Sequence, residues 1–227
     1  MILALTPRGD YAAETAASWG LRALEGSRFI HHDGEEVTLA ILQARTGTAT
    51  HILYFGHGKR DRWVQCSANG RAILRVVRTI IAVSNAAAFG SAVVFAFACH
   101  SSVSLGPAAV RAGVKRYVGF RRVVSWFVGE RFERVLALTV HDLVHLTLTK
   151  GDDLTESDLI APIRERQQYF ADLSSRGDQD ATRLEEVLDR WARALTCTAI
   201  ENLENSQNFS LFSWILARSR KSFKLPY

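Results

Sequence analysis

Four short apolar runs, each about as long as a buried β-strand, constrain the fold of this chain more than any other feature. They lie at residues 1–5, 51–55, 92–97 and 114–120. Segments of helical composition separate them, at 11–24, 71–88 and 105–112. Strands that alternate with helices favour a parallel sheet covered by helices on both faces. The sequence therefore predicts a three-layer α/β/α sandwich with a mainly parallel sheet.

The part of the chain beyond residue 125 has a different pattern. Three long amphipathic segments predict helices at 126–149, 157–173 and 182–195. With 227 residues, of which 48% are hydrophobic, the chain is long enough for one sizeable core and short for two. We therefore expect a single domain over 1–227, with a core of about 1–150 and a helical extension of about 151–227.

The composition narrows the kinds of partner and compartment. A net charge of +5 and a pI near 9.4 suit acidic partners but are too small a surplus to indicate nucleic-acid binding. Three cysteines, Cys66, Cys99 and Cys197, are odd in number and far apart, which argues against a disulfide framework. Residues 1–5 are too few for a targeting signal, and polar residues interrupt the apolar window at 80–98, so no membrane span is predicted. We expect a cytoplasmic protein that needs no cofactor.

Two of the predicted strands run into residues suited to nucleophilic catalysis. Gly56-His57-Gly58 follows the run at 51–55, and Cys99 follows the run at 92–97. Because reactive groups collect at the carboxyl ends of parallel strands, neighbouring strands would bring the imidazole and the thiol together. His57 would then take the thiol proton while Cys99 attacks a carbonyl. The backbone N–H groups of Gly58 and Cys99 form the predicted oxyanion hole.

The same residues resemble a known family. The segment 54–58, Tyr-Phe-Gly-His-Gly, and the segment 98–101, Ala-Cys-His-Ser, resemble the paired signature of caspase-like cysteine peptidases, the clan of caspases, metacaspases and gingipains. The stretch 106–120 is similar to CHAT-type bacterial peptidase domains, in which a helix, a glycine and a strand ending in Gly-Phe follow the nucleophile. The resemblance implies a caspase-like sandwich and a Cys99–His57 dyad. Such a dyad cleaves protein or peptide substrates through a thioester acyl-enzyme.

The resemblance also implies features of substrate binding and regulation. In this family the S1 pocket takes a residue from the end of the first strand, here the turn at 7–10. Arg8 in the pocket would favour an acidic P1 residue and Asp10 a basic one, and the sequence leaves both open. Metacaspases carry an acid where this chain has Phe97. CHAT-type peptidases serve bacterial regulated proteolysis or defence, which implies a regulatory protein partner or an activating cleavage, for which Arg176–Gly177 is the candidate.

Two other functions remain open from the sequence. A catalytically silent caspase-like domain would bind a peptide or partner protein as a scaffold, although a scaffold need not keep the dyad. His141 and His145 lie four residues apart on a predicted helix, the spacing of two zinc ligands. Asp142 replaces the glutamate that a zinc peptidase uses as its base, so we expect no metal. The aromatic cluster at 209–216 is predicted to be core or an interface.

Overall fold

Nine strands are present in residues 1–7, 9–69, 73–201 and 203, which the computed structural model describes. They are β1 (Ile2–Thr6), β2 (Phe29–Asp33), β3 (His51–Phe55), β4 (His57–Lys59), β5 (Arg62–Asn69), β6 (Ile73–Ala82), β7 (Val93–Phe97), β8 (Arg116–Phe120) and β9 (Leu195–Thr198). Six of these form the central sheet, in the order β2-β1-β3-β7-β8-β9. All neighbours in it are parallel except β8 and β9. Strands β4, β5 and β6 form a separate antiparallel sheet.

Helices cover both faces of the central sheet. In the described residues they are α1 (Tyr11–Arg22), α2 (Leu39–Arg45), α3 (Leu105–Arg111), α4 (Glu130–Lys150), α5 (Glu156–Ser174) and α6 (Gln179–Ala194). Helices α1, α4, α5 and α6 share one buried cluster with the sheet, around Phe97 and Trp191. Helices α2 and α3 share the cluster on the other face, around Trp63 and Tyr117. The predicted three-layer α/β/α architecture with a mainly parallel sheet is confirmed.

The local sequence explains where several helices begin. The Asp10 carboxylate accepts the N–H groups of Ala12 and Ala13 at the start of α1, and Thr155 and Asp158 form a capping box at the start of α5. These side chains satisfy N–H groups that have no partner inside the helix. The helices predicted at 126–149, 157–173 and 182–195 are confirmed as α4, α5 and α6, with ends shifted by a few residues.

The helix predicted at 71–88 is wrong. The chain instead forms β5 and β6, paired antiparallel from Arg62↔Ala82 to Asn69↔Ile73, and a short 3₁₀ helix at Val83–Phe89 follows. Residues 73–82 are rich in isoleucine, valine and threonine, which pack well on a pleated surface, whereas three of the five alanines between 71 and 88 lie at 86–88, beyond the strand. Most of the basic stretch 59–70 belongs to the same hairpin.

The C-terminal extension contains a strand that the sequence pattern did not predict. After α6 the chain enters β9, and Cys197 there pairs with Val118 of β8, so the segment completes the central sheet. The aromatic cluster at 209–216 lies outside the described residues. None of the helices in the described part of the chain combines the length and the apolar character that crossing a membrane requires.

Candidate active site

The ends of β3 and β7 bring the predicted dyad residues to the same edge of the sheet. The two strands are parallel neighbours in register, with Phe55 opposite Phe97 at their ends. The Gly56 N–H continues the pairing by donating to the Phe97 carbonyl at 3.3 Å. His57 and Cys99 each lie two residues beyond that last pair. Their positions at adjacent strand ends are therefore fixed by the register of the central sheet.

His57 is held by a carboxylate from the neighbouring strand end. Its Nε2 lies 2.5 Å from Oδ2 of Asp10, which follows β1, and the two side chains are 17% and 6% exposed. A carboxylate accepts hydrogen bonds, so Nε2 carries the proton and Nδ1 is left as the basic nitrogen. No residue in the described part of the chain hydrogen-bonds to Nδ1. The pair thus presents a free lone pair on an imidazole of fixed orientation.

The contacts of Asp10 differ from those expected of a residue that lines an S1 pocket. One carboxylate oxygen caps α1 and the other binds His57, so both are engaged and the side chain is almost fully buried. A carboxylate used in this way is not available to line an S1 pocket. Arg8, the other S1 candidate, lies outside the described residues. The structure therefore connects Asp10 with His57 rather than with an S1 pocket.

Cys99 is half-buried, and its thiol contacts the segment that follows β8. The Val124 N–H donates to Sγ at 3.3 Å, and Sγ lies 3.8 Å from the Val124 carbonyl oxygen. Burial raises the pKa of the Cys99 thiol above its ordinary value, and hydrogen bonds from the backbone of Val124 and of Cys99 itself act in the opposite direction. The thiol is therefore neutral near pH 7, and its hydrogen bonds are to Val124 rather than to His57.

Gly58 packs directly against the backbone of Cys99. A Cβ at position 58 would lie 2.3 Å from the Cys99 carbonyl oxygen and 3.1 Å from the Ala98 Cβ, a separation that no side chain tolerates. Glycine is required here by this close approach. In the described part of the chain no carbonyl accepts the Cys99 N–H. The structure thus brings together the two residues of the predicted oxyanion hole.

His100 supports the turn that follows Cys99. It has a φ of +53°, a conformation that L-residues rarely adopt. Its N–H donates to the Arg122 carbonyl at 3.1 Å, and its Nδ1 lies 3.0 Å from the Arg121 carbonyl oxygen. Behind it, the buried Ser101 hydroxyl accepts the Phe120 N–H at 3.3 Å. These contacts fix the backbone on both sides of the thiol, and they agree with the expectation that His100 is a hydrogen-bonding residue and not the base.

Two features of this site were not found from the sequence. The contact of Val124 with the thiol is made by its backbone, which leaves no signal in the residue type. The pairing of Asp10 with His57 joins residues 47 positions apart, and the only available signal was an acidic residue at the end of a strand. Both depend on how the strands are ordered in the sheet.

The two histidines considered as zinc ligands lie on α4 and not at the strand ends. His141 and His145 are exposed on α4, with nearly parallel rings whose centroids are 6.3 Å apart. Asp142 is engaged by Arg166, at 2.6 Å. Among the described residues, no group of three or more histidine, cysteine, aspartate or glutamate side chains is arranged to hold a metal ion.

Comparisons with known proteins find only distant likenesses. No family model and no curated protein matches the chain. The complex of Porphyromonas gingivalis RgpB pro- and mature domains is similar over 88% of this chain and 47% of that one, with 12% identity and a TM-score of 0.49. A crystal structure of the Arg-specific cysteine proteinase gingipain R (RgpB) is similar over 87% and 45%, with 12% identity and a TM-score of 0.48. The chain thus spans less than half the length of either structure. Likenesses below a TM-score of 0.5 establish nothing about the site, so function has to be argued from the side chains.

Proposed function

We propose that the chain is a caspase-like cysteine endopeptidase whose nucleophile is Cys99 and whose base is His57. The observation that carries the proposal is the buried Asp10–His57 pair at the strand end next to Cys99. A buried carboxylate that fixes one nitrogen of a histidine leaves the other to act as a base, which is the arrangement that activated nucleophiles require. In this proposal Asp10 is a positioning residue, since it acts through His57.

The reaction follows from these roles. His57 Nδ1 takes the Cys99 proton as Sγ forms a bond to the carbonyl carbon of the scissile peptide. The carbonyl electron pair moves to oxygen, and the N–H groups of Cys99 and Gly58 stabilise that charge. The C–N bond then breaks, and the leaving amine receives the proton from His57. His57 then takes a proton from a water molecule, whose oxygen attacks the thioester carbon. The C–S bond breaks, the second product leaves with a new carboxyl group, and His57 returns the proton to Sγ.

The neutral thiol suits this sequence of steps. Because burial raises the Cys99 pKa, the proton is still on sulfur when substrate arrives. Proton transfer therefore has to accompany the attack, so the rate depends on the orientation of His57. In the described conformation Sγ contacts Val124, so the thiol has to rotate from that contact toward His57.

The resemblance to CHAT-type domains extends the proposal to a biological setting. We place the peptidase in the cytoplasm, in a bacterial regulated-proteolysis or defence pathway, with a protein partner that switches it on. Cleavage after Arg176 is the alternative trigger. Arg176 and Gly177 are both exposed between α5 and α6, and Gly177 has a φ of +91°. A protease can reach such a turn.

Covalent labelling tests the proposal. The chain is treated with acyloxymethyl-ketone peptides that carry Asp, Arg, Lys or Leu at P1, before and after limited proteolysis, and adducts are read by intact mass. We expect one adduct per chain, lost in Cys99→Ala and His57→Ala. His145→Ala, which removes an exposed histidine from α4, should retain full labelling. An adduct that survives Cys99→Ala would contradict the assignment of the nucleophile.

One observation favours the second candidate, a catalytically silent scaffold that binds a peptide or a partner protein. The thiol is neutral and its hydrogen bonds are to the Val124 backbone, an arrangement that a packing cysteine also adopts. A scaffold would bind the same peptides reversibly. It would give no adduct under any of the conditions above, and peptide binding would be unaffected by Cys99→Ala.

A further inference from the structure

A cavity lies beside the turn that follows Cys99. It has a volume of about 700 Å³, and the residues that line it include Arg60, His100, Ser102, Pro107 and Arg121. Its lining comes from both faces of the sheet, since Pro107 belongs to α3 and Glu156 to α5, and from the edge strand β9. The cavity adjoins the proposed active site through the turn after Cys99.

Two guanidinium groups without carboxylate partners give this cavity a positive character. Arg60, between β4 and β5, and Arg121, directly after β8, are both exposed. In the described part of the chain neither forms a salt bridge, although most arginines of α4, α5 and α6 do. Unpaired guanidinium groups are geometrically suited to bind carboxylate or phosphate oxygens.

Ser102 adds an independent indication of a ligand. The residue is 4% exposed, and its hydroxyl has no hydrogen-bond partner among the described residues. A buried hydroxyl without a partner is costly, and native proteins rarely keep one. Because Ser102 lines the cavity, an oxygen-rich group bound there would accept this hydrogen bond.

The backbone around the cavity is firmly held. The Arg60 carbonyl accepts the N–H groups of Ser104 and Leu105 at 2.9 and 3.2 Å, and the Arg121 carbonyl lies 3.0 Å from His100 Nδ1. Both arginines are thus tied through their backbones to the segment that follows the nucleophile. The cavity also contains one opposing charge, Glu156, whose Oε2 accepts the Cys197 N–H at 3.2 Å.

We propose that this cavity binds an oxyanion, a phosphate or carboxylate group, between Arg60 and Arg121 with the Ser102 hydroxyl as a third donor. The group belongs to a free small molecule or to an acidic side chain of a substrate. A bound anion would link the turn after β4, which follows Gly58, to the segment after β8, which contacts the Cys99 thiol. The site therefore offers a means of modulating Cys99.

Calorimetric titration of the full chain at constant ionic strength tests this proposal, with inorganic phosphate in one arm and succinate in the other. We expect saturable binding in at least one arm. Tighter binding of phosphate indicates a free phosphate compound, and equal or tighter binding of succinate indicates an acidic side chain. Because the measurement needs no peptidase activity, its failure is distinguishable from failure of the proposed function.

Substitutions identify the groups that hold the anion. Arg60→Gln and Arg121→Gln should each weaken binding by roughly 10- to 100-fold, and Ser102→Ala by roughly 3- to 10-fold. Glu156→Gln removes the opposing charge and should strengthen binding. Arg45→Gln, which changes an exposed arginine on α2, should have no effect. Absence of saturable binding in both arms, or binding unchanged by Arg60→Gln or by Arg121→Gln, would overturn the site.

Discussion

Cys99 and Cys197 are two cysteines in one fold whose surroundings differ in an instructive way. Cys197 lies inside β9 as part of the buried cluster, 4% exposed, with its Sγ 3.5 Å from the Leu154 carbonyl oxygen. Cys99 lies just past the end of β7, half-buried and against Gly58, at the strand end next to that of His57. Burial raises the pKa of both thiols, that of Cys197 to about 12. A raised thiol pKa therefore does not distinguish Cys99, our proposed nucleophile, from Cys197, whereas its position at a strand end next to that of an oriented histidine does.

Among the substitutions that test this contrast, we expect the largest loss of activity at Asp10. Asp10→Asn cannot accept the Nε2 proton as a carboxylate does, so the tautomer and orientation of His57 are no longer fixed. We expect kcat to fall by about 10²- to 10⁴-fold on the peptide identified by labelling, with KM little changed. The pH profile of kcat/KM should also change, which a merely structural defect would not produce.

The carboxylate that serves as a control for Asp10 is Asp142. It pairs with Arg166 on the surface of α4 and α5, so Asp142→Asn should leave kcat and the pH profile unchanged. Equal losses of activity in both variants would show that Asp10 matters only for folding.

The rates at which the two thiols are alkylated compare them directly, with a smaller expected difference. Iodoacetamide should modify Cys99 at least about tenfold faster than Cys197 in the native protein, because Cys197 is shielded and has the higher proton affinity. Since burial raises the Cys99 pKa, modification should speed up roughly tenfold per pH unit from pH 7 to the ordinary thiol pKa of 9.0.

The same shifts have a consequence for stability. Raised thiol pKa values mean that the fold favours the protonated thiols. The stability they contribute is fully present below the ordinary value of 9.0 and is lost as the pH rises toward about 12, the pKa of folded Cys197.

Peptide mapping after timed alkylation measures the modification rates of the two cysteines. A plateau in Cys99 modification below pH 7 would reveal a thiolate paired with His57 and contradict the neutral thiol.

The two halves of the site differ in how far the sequence could predict them. The glycines around His57 and the apolar strand before Cys99 are local signals, and these alone predict that both residues follow strand ends. The partner of His57 and the contact of Val124 arise from strand order and from backbone atoms, which no local pattern contains.

The sequence pattern did not predict the hairpin of β5 and β6, for another reason. Residues 73–82 are mainly β-branched, and this local signal for a strand outweighs the alanines at 86–88.

Gly58, in the strand β4 that pairs with β5, provides the smallest and most local test. A methyl group at this position meets the Cys99 carbonyl oxygen at 2.3 Å, so Gly58→Ala has to push β4 away from Cys99. We expect a loss of about 1–3 kcal/mol in the free energy of unfolding, or roughly 2–4 °C in Tm for each kcal/mol. Gly47→Ala is the control, since nothing lies within 4 Å of its Cβ position, and its Tm should stay the same or rise slightly. Unfolding followed by circular dichroism compares the two. If Gly58→Ala is as stable as Gly47→Ala, β4 does not pack on Cys99 as described, and the oxyanion hole proposed for Gly58 and Cys99 loses its structural basis.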